Sequence, residues 1–171
     1  MESHGIRLWC SHCGAQWEMD EFSRLHRTNG EDIFCHVPDW YNWEREQVRK
    51  QVLDGSYSFA DEAELYHMIN AKKGFRKIGE VSLSHGPEGF TMAGSLDNGE
   101  EFSFNRPVNT MRSLHVEFNF KKRGIPAPAD AIDLATSDDT WFVFPKNSKN
   151  VLTKLHFATE ELHKAHSLKR V

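Results

Sequence analysis

The chain has 171 residues, room for one domain of ordinary size or a main domain with a small appendage. Its 21 Lys and Arg against 25 Asp and Glu leave a formal charge of −4, far from the positive field with which a dedicated duplex binder neutralises phosphates, so nucleic acid is not the expected partner. Apolar residues make up 39% and aromatics 12%, which supplies a core of large side chains and excludes a disordered composition. The longest apolar runs, such as Trp141-Phe142-Val143-Phe144, fall far short of the ~20 residues that cross a bilayer. No secretory signal opens the sequence and the cysteines number three, which together favour a reducing cytoplasm over a disulfide framework.

Composition shifts near residues 38 and 60, dividing the chain into 1–37, 38–58 and 59–171. The first segment holds every cysteine, the histidines His4, His12, His26 and His36, and a turn signal at Thr28-Asn29-Gly30-Glu31; it reads as a small hairpin-like module. In Cys10-Ser11-His12-Cys13-Gly14 the two-residue gap lets both thiolates face one metal ion, and the glycine permits the tight turn whose backbone N–H groups support the sulfurs. Cys35 and His36 are the nearest further candidates for a four-ligand zinc site. The alternative is a pair of reduced cysteines without metal. His36 and Asp39 also have a ligand-like gap, although Asp39 equally suits a helix cap.

The second segment opens at Pro38 and places Tyr41, Val48 and Val52 at helical spacing before Asp54-Gly55 stops it, an amphipathic helix. Trp40, Tyr41 and Trp43 read as cement between this helix and its neighbour rather than as a stacking platform.

From about residue 62 the period becomes alternating. A first strand near residues 62–69 is followed by Phe75 to Leu83, Phe90 to Leu96, Phe102 with Phe104, Leu114-x-Val116-x-Phe118-x-Phe120, Ile132 with Leu134, and Trp141 to Phe144. Turns are expected at Gly86-Pro87-Glu88-Gly89, Asp97-Asn98-Gly99 and Ser137-Asp138-Asp139. Val151, Leu155, Ala158, Leu162 and Ala165 then form a helix stripe within 151–169, although in its first half Val151, Thr153, Leu155 and Phe157 also satisfy a strand pattern. The expected fold is mainly β (α+β). Seven strands and one terminal helix resemble a pleckstrin-homology-like barrel, preceded by a zinc-knuckle-like module and an amphipathic helix. Lys72, Lys73, Arg76 and Lys77, with Lys121, Lys122 and Arg123, fall in or beside inter-strand loops, where such a barrel can gather a phosphate or an anionic headgroup. Solvated loop charge is the alternative. No Gly-x-Ser-x-Gly elbow, phosphate-binding glycine loop or His-Glu-x-x-His helix is present, and no catalytic residue is assigned. His115 is expected to face away from Leu114 and Val116, and His156, His163 and His166 to lie on the surface of the terminal helix.

Three pieces carry a resemblance: Cys-x-x-Cys-Gly at residues 10–14, His36-Val37-Pro38-Asp39-Trp40-Tyr41-Asn42-Trp43-Glu44-Arg45, and His156-Phe157-Ala158-Thr159-Glu160-Glu161-Leu162. They resemble the C-terminal extension of bacterial 1-acyl-sn-glycerol-3-phosphate acyltransferase-like proteins. The resemblance favours Cys10, Cys13 and His36 as zinc ligands, because another small residue usually stands at the position of Cys35. That family's catalytic histidine and its orienting aspartate have no counterpart; His26 with Glu31, and Pro87-Glu88-Gly89-Phe90-Thr91, match its motifs only in part. What is implied is the extension without its catalytic domain. That would be a non-catalytic accessory module associated with phospholipid acyl transfer, holding a partner protein or an anionic lipid, with zinc bound and a peripheral membrane contact. The alternatives are an acyltransferase with an unrecognised active site, and a zinc-ribbon nucleic-acid binder using Arg7, Arg24 and Arg27 with Trp17 and Phe22.

Overall fold

The computed structural model describes residues 2–136 and 139–168, and it divides into two compact units, residues 1–47 and 48–171. Ser137 and Asp138 of the expected turn, and Lys169 at the expected helix end, lie outside the described residues.

The first unit is an antiparallel meander of four short strands, β1 (Glu2–His4), β2 (Arg7–Trp9), β3 (Gln16–Met19) and β4 (Leu25–Arg27), in that order across the sheet. Trp17 sits at its centre with Ala15, Leu25 and Trp40. Helix α1 (Val37–Leu53) begins where the Asp39 carboxylate accepts the His36 backbone N–H at 3.1 Å, satisfying a donor that the helix start would leave orphaned. Asp39 therefore acts as the cap. Gly55, at φ +78°, follows the helix in the left-handed turn open to glycine. Trp40 is buried and meets Trp17 edge to face at 4.6 Å, whereas Tyr41 and Trp43 stay exposed. Only Trp40 is fully enclosed cement.

The second unit has the seven expected strands: β5 (Phe59–Asn70), β6 (Gly74–Gly86), β7 (Gly89–Leu96), β8 (Glu101–Pro107), β9 (His115–Phe120), β10 (Ala129–Ala135) and β11 (Thr140–Pro145). They form one antiparallel sheet in the order β8-β7-β6-β5-β11-β10-β9. A four-stranded and a three-stranded meander are thus joined by pairing of the first strand with the last. The sheet does not close into the expected barrel. β8 and β9 are the two ends of the strand order and do not pair with each other. The sheet nevertheless curls, since Trp141 on β11 meets Phe102 and Phe104 on β8 at 5.8 and 5.1 Å, and the Arg106 guanidinium donates to the Ala135 carbonyl. Inside the curl lie Leu65, Val81, Leu83, Met92, Leu114, Ile132, Leu134 and Val143. Helix α2 (Leu152–Leu168) contributes Leu152 and Leu155 to this core. Its Phe157, Ala158 and Leu162 pack with Val48, Tyr57 and Val108. Among the described residues no helix is long and apolar enough to cross a membrane.

Not every phenylalanine enters that core. Tyr66, Phe120 and Phe144 are buried with Ile125 in a separate cluster, against which Phe75 and Phe142 pack. Val143 lies inside the curl while its neighbours Phe142 and Phe144 belong to this second cluster, as strand alternation requires. β9 departs from simple alternation. Glu117 pairs with Ala131 but Phe120 with Ala129, one residue more on β9 than on β10, and Asn119 takes φ +52° in this bulge. The phase flips, and Phe118 is exposed instead of buried.

Candidate functional site

The β5–β6 turn and the loop after β9 carry the two basic clusters, and the fold brings them together. The Phe75 N–H donates to the Arg123 carbonyl at 2.8 Å. Gly74 and Gly124, at φ +79° and +93°, allow the close approach: a Cβ on Gly74 would fall on the Arg123 carbonyl oxygen, and one on Gly124 on that of Phe75. The Asn70 carboxamide oxygen accepts the Lys72 and Lys73 backbone N–H groups at 3.1 and 2.8 Å, fixing the turn that presents both side chains.

The seven basic residues divide by what holds them. Lys77 is committed, with its ammonium 2.8 Å from Glu64 and 2.6 Å from Glu80. Those hydrogen bonds raise its pKa and help to lower that of Glu80 to about 2. Lys146 reaches Glu80 as well, at 2.9 Å. Lys121 is also committed, donating to the Ile125 and Pro126 carbonyls at 2.9 and 2.8 Å, so it pins the loop rather than offering its charge outward. Lys72, Lys73, Arg76, Lys122 and Arg123 are exposed, and none forms an ion pair among the described residues. These cations, grouped around one loop junction, can attract an anionic surface.

The Cys-x-x-Cys segment forms the tip of the β2–β3 hairpin. The Cys10 N–H donates to Ala15 and the Gly14 N–H to Cys10, both at 2.8 Å, with Gly14 at φ +72°. The Cys10 sulfur accepts backbone N–H groups from Cys13 and His12, which hold its thiol below the usual pKa. Cys35 and His36 lie elsewhere. The Cys35 carbonyl accepts the Leu25 N–H at 2.7 Å and His36 bridges Arg24, at the end of β4 opposite to Thr28 and Asn29, which adjoin the knuckle. Among the described residues no three His, Cys, Asp or Glu side chains gather as a metal-holding group.

Other sequence candidates find structural partners. His26 sits 3.0 Å from Asp20, not beside Glu31; this contact, with donors from Arg24 and Phe22, holds the Asp20 carboxyl well below the ordinary carboxylate range. Arg7 pairs with Glu18 and Arg24 with Asp20, both at 3.0 Å, and Trp17 is buried. His115 is exposed, 3.4 Å from Asp133 and 3.7 Å from Glu117. His156 and His163 are not free surface residues. Their Nδ1 atoms lie 2.9 Å from the Leu114 carbonyl and 3.0 Å from that of Val108, tying α2 to the segment before β9. Their seven-residue spacing, which puts both on one helix face, is the only signal the sequence carries of this role. Compared with known proteins, the chain matches no family model, no curated sequence and no solved structure.

Proposed function

We propose that the β unit is a non-catalytic, pleckstrin-homology-like binding module that docks on an anionic phospholipid surface through the joined β5–β6 and β9–β10 loops, on the cytoplasmic side of a membrane. The observation that carries this reading is the loop junction, which gathers Lys72, Lys73, Arg76, Lys122 and Arg123 from two distant stretches of a net-negative chain. Each such cation near an anionic leaflet contributes about 1 kcal/mol, screened by salt. The two antiparallel meanders and the helix that completes their core support the pleckstrin-homology-like reading. The resemblance of residues 10–14, 36–45 and 156–162 to an acyltransferase extension supports a setting in phospholipid acyl transfer.

Cosedimentation with vesicles tests the reading. The chain is expected to pellet with phosphatidylcholine vesicles containing phosphatidylserine, to be released by added salt, and to stay in solution with phosphatidylcholine alone. Equal pelleting with both vesicle types, or none with either, refutes it.

A further inference from the structure

We propose that the Cys10–Cys13 knuckle is half of a zinc site that a second copy of this chain completes. The knuckle is already shaped for a metal. The Cys10 N–H donates to the Ala15 carbonyl and the Gly14 N–H to the Cys10 carbonyl, both at 2.8 Å, closing the tight turn that carries both cysteines. The Asn29 side chain locks the turn, donating to the Gly14 carbonyl and accepting the Gln16 N–H, each at 2.9 Å. Cys13 is exposed and Cys10 half-buried, so this fixed pair is open to solvent at a hairpin tip.

What the unit lacks is the other half. Structural zinc takes four ligands in a tetrahedron, yet no third candidate ligand joins the two cysteines among the described residues. Cys35 and His36 are held at the far end of β4 by their own backbone pairing. A second knuckle of the same shape supplies what is missing. Two Cys-x-x-Cys pairs related by a two-fold axis through the metal make a four-sulfur tetrahedron with no other ligand, in keeping with the closed symmetry of most homodimers. Each of the four thiols releases its proton to solvent on binding, so zinc affinity rises with pH.

The test is a Zn²⁺ titration of the reduced, metal-free 171-residue chain, read by sedimentation equilibrium and by bound-metal analysis. Expected are one zinc per two chains, a doubling of the 19.8 kDa mass, and return to monomer with a chelator. Cys13→Ser is expected to abolish both effects, and Cys35→Ser and His36→Gln to leave both intact. One zinc per monomer, no zinc retained, or loss of binding in Cys35→Ser or His36→Gln overturns the proposal. The stoichiometry is read on the unaltered chain, so the test stands however Cys13→Ser folds.

Discussion

At His85 the core takes in a titratable ring and keeps it neutral. The imidazole is 3% exposed, stacks on Phe90 with ring centroids 3.8 Å apart, and shares a 2.8 Å hydrogen bond with the Tyr57 hydroxyl. Burial pushes its pKa from the ordinary 6.5 down to about 3, because the cation would lose its hydration there. The unfolded chain therefore takes up this proton first as acid is added. Stability that is complete above pH 6.5 is lost progressively as pH falls toward 3, on the order of 3 kcal/mol by pH 4.5 at about 1.4 kcal/mol per unit. His85→Phe should remove that part of the acid sensitivity in urea unfolding at pH 7 and pH 4.5, whatever it costs at neutral pH. An unchanged pH dependence in the variant would contradict a neutral, buried His85.

Among the elements, the loop junction makes the sharpest demand on a single residue. Gly124→Ala forces a Cβ onto the Phe75 carbonyl at φ +93°, a strain of about 1–3 kcal/mol. It should open the junction and weaken vesicle binding with no change of charge; undiminished binding would show that the loops act separately. The strands of this unit were legible because their apolar residues alternate and Asp97-Asn98-Gly99 marks a hairpin. Phe118 was not. A one-residue bulge leaves no mark except Asn119, a residue type that tolerates positive φ. In Trp141-Phe142-Val143-Phe144 both parities are apolar, so alternation could not show that the sheet buries both faces there. The basic clusters were visible as charge in two loops, but their meeting depends on a contact between residues 75 and 123 that spacing does not encode. The knuckle was local and readable, whereas the position of Cys35 and His36 relative to it is set by strand pairing.

For the molecule as a whole, the β unit holds together by a curled sheet whose ends do not pair, so α2 supplies core contacts that a closed barrel would leave to its strands. Leu155 is fully buried in the main core, and Leu155→Ala should cost about 2–5 kcal/mol, measurable as a lower urea midpoint; a change within error would mean that α2 is dispensable to the core. On the proposed docking mode, five exposed cations at one junction, rather than the charge of the whole chain, bring this unit to a membrane. Two charge-reversal variants separate the two in phosphatidylserine vesicle cosedimentation: Lys73→Glu combined with Arg123→Glu at the junction, and Arg112→Glu alone just before the start of β9. The junction variant should lose at least about tenfold in affinity, as removal of two contacts of about 1 kcal/mol each requires, while Arg112→Glu stays near the unaltered chain. Equal losses in the two variants, or none in either, would contradict docking through the junction.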